Sequence, residues 1–142
     1  MDNFESFEIA MLIKEIYSKI TNTISKSLKD SGLTYQQIMI IKIIAHKKTV
    51  TISDLCYELS LAKGTVSGIV TRLEKLGYIK KIKSLEDKRN TYVKFSDKGL
   101  AFALKFREDI NDTFDKIFKD FSREDLSSLK TLLLDMKKKL TI

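Results

Sequence analysis

No proline occurs anywhere in the 142 residues, and glycine occurs only five times. The strongest helix breaker is therefore missing, which permits long uninterrupted helices. Cysteine is nearly missing as well. Cys56 stands alone, so no disulfide can form within the chain. With the single histidine, His46, it makes no nucleophilic triad and no metal-ligand spacing. A glycine-rich phosphate loop is also lacking. An enzyme is not expected on these grounds, nor is any cofactor or metal. No apolar run approaches the roughly 18 residues that a bilayer span requires, so no membrane association is expected. The first residues, Met1-Asp2-Asn3-Phe4-Glu5, lack the basic start of a secretory signal. Together these absences predict a cytoplasmic protein.

What is present is charge, unevenly placed. The net charge is +7, on 26 basic and 19 acidic residues. Residues 1–60 carry seven of each sign, whereas residues 61–100 carry ten basic and four acidic side chains. Residues 101–142 are again nearly balanced, with nine and eight. A charge run is often only a solvated face, but a surplus concentrated in one stretch is the footprint of a polyanionic partner.

Apolar spacing predicts six helices and a hairpin. Ile9, Ile13, Ile16, Ile20, Ile24 and Leu28 make a helical stripe over residues 4–29, which Gly32 stops. Phe4, Phe7 and Met11 lie outside that stripe and predict a partner surface. Thr34-Tyr35-Gln36-Gln37 and Thr51-Ile52-Ser53-Asp54 read as helix-capping sequences, followed inward by Ile38, Ile41, Ile44 and Ala45, and by Leu55 and Leu59. Cys56 is expected to face inward as a structural thiol. After a tight turn at Ser60 and Leu61, a fourth helix carries Val66, Ile69, Val70, Leu73 and Leu76, and ends at Gly77. The period then changes. Residues 78–83 and 91–95 read as two strands, joined by a charged tip over 84–90. Ser96 caps a fifth helix bearing Phe102, Phe106, Ile110, Phe114, Ile117 and Phe121. Ser122 caps a sixth, with Leu126, Leu129, Leu132, Leu133, Met136 and Leu140. The expected fold is mainly α with a small β-hairpin: a winged helix-turn-helix.

With its apolar positions inward, the fourth helix turns Lys63, Gly64, Ser67, Gly68, Thr71, Arg72 and Lys75 outward. Thr65 lies in its first turn. Small residues let a helix backbone approach base edges, hydroxyls reach bases or phosphates, and Lys and Arg neutralise phosphates. An ordinary amphipathic helix is the plain alternative. Two glycines inside one helix weigh against it, because each costs roughly 1 kcal/mol relative to alanine. In the hairpin tip, Asp87, Lys88 and Arg89 follow Glu86. An arginine there can enter a narrow minor groove, with Asp87 holding it in position.

The run from Leu61 to Ile79 resembles the recognition helix and following strand of MarR-family regulators. Asp87-Lys88-Arg89, and then Val93-Lys94-Phe95-Ser96-Asp97-Lys98-Gly99, resembles that family's wing. The likeness covers almost the whole chain. It implies a dimeric, mostly ligand- or oxidant-responsive repressor, with the recognition helix in the major groove and Arg89 in the minor groove. This chain departs from the pattern at two positions. Ala62 stands where relatives often have a capping serine, and Gly68 where many have a long polar side chain.

The resemblance further implies a division into a DNA-binding region, 34–98, and a helical dimerisation region, 1–33 and 99–142. The stripe on the fifth helix from Phe106 to Phe121 agrees, being more than one small domain need cover. A homodimer calls for a pseudo-palindromic double-stranded operator, with half-sites about 10 bp or a multiple apart. An effector is expected between the dimerisation helices and the winged helix, with Tyr17, Tyr35 and His46 as lining residues by analogy. The competing readings are a winged helix used for protein–protein contact and a sequence-neutral DNA-binding protein. The first has no need of the basic segment or Arg89.

Overall fold

The computed structural model describes residues 3–86 and 89–140. Asp87 and Lys88 lie outside the described residues. Among the described residues there are six α-helices: α1 Asn3–Ser27, α2 Tyr35–Lys47, α3 Ile52–Leu59, α4 Lys63–Lys75, α5 Asp97–Ile117 and α6 Arg123–Lys139. The strands are β1 Thr49–Thr51, β2 Ile79–Lys83 and β3 Thr91–Phe95.

The helix starts follow local chemistry. Thr34 Oγ1 accepts the Gln37 N–H (3.2 Å), while Gln37 Oε1 accepts the Thr34 N–H (3.0 Å). Thr51 and Asp54 make the same reciprocal pair, both bonds at 3.0 Å. Those bonds hold the Asp54 carboxyl below its usual range, the backbone N–H of Thr51 being the largest cause. Ser96 and Ser122 cap α5 and α6 by accepting from Gly99 N–H and Asp125 N–H. At its far end α1 passes through a short 3-10 turn, Lys29–Ser31, to Gly32, whose φ of 72° suits glycine.

The expected hairpin is part of a three-stranded antiparallel sheet in the order β1-β3-β2. Val93 pairs with Val50 on one side and with Lys81 on the other. The strand β1 is a correction to the two-stranded expectation. Three residues are too few to show alternation, and Thr51 was legible only as a cap.

Two cores result. One gathers Ile40, Ile41, Ile44, Val50, Leu55, Val66, Val70, Leu73, Ile79 and Val93 from α2, α3, α4 and the sheet. Each such fully buried aliphatic side chain stabilises the fold by about 1.5–3 kcal/mol. The other joins Ile24 of α1, and Leu28 just beyond it, to Ile38 and Ile110. The α5 stripe contributes to this second core. Phe106, Phe114 and Ile117 pack on this second core within the chain, and only Phe121 stays exposed. The surface left over lies elsewhere. Ile9, Ile13 and Ile16, expected as one stripe with Ile24, are exposed, as are Phe4 and Phe7. No residue of α6 is buried, and Leu132, Leu133 and Leu134 are all more than half exposed. Ala45, expected inward, is exposed, and Cys56 is half-buried against the first core.

Candidate nucleic-acid interface

Helix α4 is fixed by Val66, Val70 and Leu73, which are fully buried at helical spacing, and by the half-buried Ile69. That orientation leaves Lys63, Gly64, Thr65, Gly68, Arg72 and Lys75 exposed on one surface, with Ser67 and Thr71 half-buried at its margin. Ala62 sits at the N-cap with extended backbone and gives no side-chain cap. The first amides of α4 are therefore left for solvent or an anion. At the other end, Gly77 adopts a φ of 86°, and its N–H donates to the Glu74 carbonyl (2.9 Å). Tyr78 N–H donates to the Leu73 carbonyl (3.0 Å), which completes a left-handed helix stop.

The two glycines of α4 have no internal reason to be glycine. A Cβ built at Gly64 or Gly68 meets nothing within 4 Å, and neither residue has positive φ. The fold pays the helical cost of glycine twice on a face open to solvent.

The sequence did not reveal how the hairpin and α4 are joined. Lys81 of β2 donates through Nζ to Thr71 Oγ1 (2.8 Å) and lies 3.8 Å from the Glu74 carboxylate. Thr71, expected as a DNA-facing residue, thus has its oxygen engaged by Lys81. Glu74, the one acid on α4, has a cation beside it. The signal available was weak: Lys81 is one lysine among several in a strand. The hairpin closes where Ser84 N–H donates to the Asn90 carbonyl (3.2 Å) and Glu86 N–H to Ser84 Oγ (3.3 Å). Arg89 is exposed in the tip, beside the fully exposed Leu85, which the sequence did not single out. The expected contact of Asp87 with Arg89, and the place of Lys88, fall outside the described residues.

The three effector-lining candidates do not meet. Tyr17 and Tyr35 stand edge-on, with ring centroids 6.5 Å apart and planes at 87°. Burial, with Tyr17 adding to it, raises the Tyr35 hydroxyl above its ordinary range. The pair lines a shallow opening beside Ile69 and Arg72 of α4. His46 lies in a different groove, against α5. Spacing along the chain could not tell that the end of α2 lines a groove with α5, apart from the opening beside Tyr17 and Tyr35.

Among the described residues, no helix is long and apolar enough to cross a membrane, and no group of His, Cys, Asp and Glu could hold a metal ion.

A sequence profile described as the MarR family matches residues 33–91. The HTH-type transcriptional regulator FarR of Neisseria gonorrhoeae is 31% identical over 111 residues, spanning 78% of this chain and 76% of that protein. Among solved structures, a cysteine-to-serine variant of MarR from Escherichia coli complexed with operator DNA has a TM-score of 0.82. It is 23% identical, with 99% of this chain and 100% of that one covered. NadR in complex with 4-hydroxyphenylacetate has a TM-score of 0.78 at 26% identity, covering 90% and 91%.

Proposed function

The chain belongs to the MarR family, and on that premise we propose that it is a homodimeric, sequence-specific DNA-binding repressor whose hold on its operator is released by a small molecule. The observation that carries this reading is the outer face of α4: basic, small and open, with two glycines that nothing in the chain requires. Residues 34–98 act as the DNA-binding region. Lys63, Arg72 and Lys75 meet phosphates, and Gly64, Thr65, Ser67 and Gly68 lie against base edges. Arg89 enters the neighbouring minor groove, steadied by Asp87 and assisted by Lys88. Thr71 and Lys81 hold the hairpin to the helix. The protein works in the cytoplasm and performs no catalysis.

Residues 1–33 and 99–142 form the dimer. The support is the apolar surface that one chain leaves bare on α1 and α6. Sedimentation is expected to give the mass of two chains, and Leu132→Asp with Leu133→Asp to shift it toward one. A monomeric wild-type protein overturns this part.

Capture of bound genomic fragments, followed by competition with random duplex at physiological salt, tests the whole reading. Recovered sites are expected to win by about a thousandfold or more. Lys63→Ala is expected to weaken binding and to lower the slope of log affinity against log salt by about one unit. Equal binding to all sequences would point instead to a sequence-neutral DNA-binding protein. No DNA binding at all would point to a protein–protein module.

A further inference from the structure

Resting on the regulator reading above, in which the hairpin enters the minor groove, we propose that Leu85 is an apolar wedge. Each protomer inserts this side chain into a pyrimidine–purine step of the operator and kinks the duplex there. A single exposed leucine is ordinary on a protein surface. What distinguishes Leu85 is the degree of its exposure and its place. It is 100% exposed, whereas the next most exposed large apolar side chain among the described residues, Tyr57, is at 71%. A side chain so exposed adds little to the stability of its own chain.

The backbone on either side of Leu85 is held. Ser84 N–H donates to the Asn90 carbonyl (3.2 Å), closing the tip one residue before Leu85. Glu86 N–H donates back to Ser84 Oγ (3.3 Å), one residue after it. A serine turn of this kind restrains the residue it spans. The direction of the hairpin is set as well. Ile79, Lys81 and Lys83 alternate along one side of β2. Ile79 is buried and Lys81 donates to Thr71, so this is the side that α4 occupies. Leu85 stands two residues beyond Lys83, and Arg89 immediately precedes Asn90 on the returning limb. The leucine and the minor-groove arginine are thus on opposite limbs of the tip, each next to the closing pair of Ser84 and Asn90.

The hairpin brings this apolar group to a polyanion. Residues 80–94 hold six basic and two acidic side chains, so attraction to phosphates carries the tip into the groove. Leucine can bond neither phosphates nor base edges. Inside the minor groove, the apolar partner that covers it on two sides is the pair of base faces at an opened step. Burying one leucine gains about as much as unstacking one step costs. Insertion is therefore favourable where the stack opens easily, at TA and CA/TG steps. Leu85 then contributes to sequence choice without a hydrogen bond to any base. The two protomers place two kinks, one in each half-site.

The test uses the full-length protein and the genomic fragment most enriched by capture, with 2-aminopurine replacing each adenine in turn. This base brightens when it is unstacked. The wild type is expected to brighten it at one step in each half-site, and Leu85→Ala at none. Leu85→Ala is expected to weaken binding of the fragment about tenfold while changing that of random duplex less than about twofold. The salt slope should be unchanged, since no charge is lost. Leu85→Met keeps an apolar side chain of similar reach and is expected to retain both the affinity and the fluorescence. Both variants should unfold at the wild-type urea midpoint, because position 85 is fully exposed. Fragment binding that ignores Leu85→Ala overturns the proposal, as does an equal loss on fragment and random duplex. Wild-type binding that brightens no base also overturns it, because the leucine would then lie against the groove wall. In each case the regulator reading stands if the wild type still prefers the fragment. A wild-type protein without that preference defeats the regulator reading itself.

Discussion

Gly99→Ala is expected to destabilise the protein by about 3 kcal/mol or more, enough to unfold much of a small domain. An alanine Cβ at that position would lie 1.8 Å from the Tyr78 carbonyl oxygen, 2.8 Å from its carbon and 3.1 Å from the Phe95 ring. The first two are backbone atoms and cannot swing aside. The Tyr78 carbonyl is also committed, because it accepts the Ser96 N–H (3.0 Å). Ser96 in turn accepts from Gly99 N–H and donates to the Gly77 carbonyl. Lys98 adds a bond from Nζ to the Leu76 carbonyl (2.7 Å) and lies 4.8 Å from the centre of the Tyr78 ring. The start of α5 is thus docked on the end of α4 and the start of β2, at a distance that only glycine allows. Urea unfolding measures the loss. Gly64→Ala supplies the contrast: its Cβ meets nothing, and helix propensity predicts a gain of about 0.5–1 kcal/mol. If Gly99→Ala unfolds at the wild-type midpoint, this account of the joint is wrong.

The second large effect falls on binding and leaves the fold alone. Gly68→Glu is expected to reduce operator affinity by about a hundredfold or more, since it sets a carboxylate and its bulk between the helix and a polyanion. Stability should hold or rise, because the site is open and glutamate is the better helix former. Gly68→Ala separates bulk from charge, with a single methyl group expected to cost far less. Titration of one duplex at fixed salt, with a thermal melt on each variant, reads both quantities. Undiminished binding by Gly68→Glu would remove the outer face of α4 from the interface.

Much of this was legible because it is local. A capping residue bonds a backbone amide three positions away, so Thr34, Thr51, Ser96 and Ser122 announced four helix starts. The inward side of α4 followed from Val66, Val70 and Leu73 alone, and fixing that side fixed the other. The motif Ser96-Asp97-Lys98-Gly99 was legible as a family likeness, and Ser96 as a helix cap, yet the steric role of Gly99 was not. Ser96 caps α5, and Gly99 lets α5 touch the Tyr78 backbone.

The features that stayed hidden are those in which distant segments meet. The pairing of β1 with β3 brings Val50 to Val93, and no pattern within three residues can encode a partner so far along the chain. The aromatic stripe of α5 had the right spacing to be buried. Spacing gives the width of an apolar face and is silent on whether the same chain or another covers it. In the folded chain Phe106 and Phe114 are half-buried against the core that holds Ile24 and Ile38, while α1 and α6 leave large apolar side chains exposed.

By itself, then, the sequence determined the order of the helices and the hairpin, four of the helix starts, the buried side of α4 and the place where positive charge collects. Propensity, capping and amphipathic period all act within a few turns of chain. Only the tertiary structure decided that Lys81 clasps Thr71, that Gly99 and not Gly64 is sterically bound to be glycine, and that His46 parts from Tyr17 and Tyr35 to line a basic groove of its own. Each of these is a meeting across space, fixed by the free energy of packing whole elements together rather than by the residues beside it in the chain.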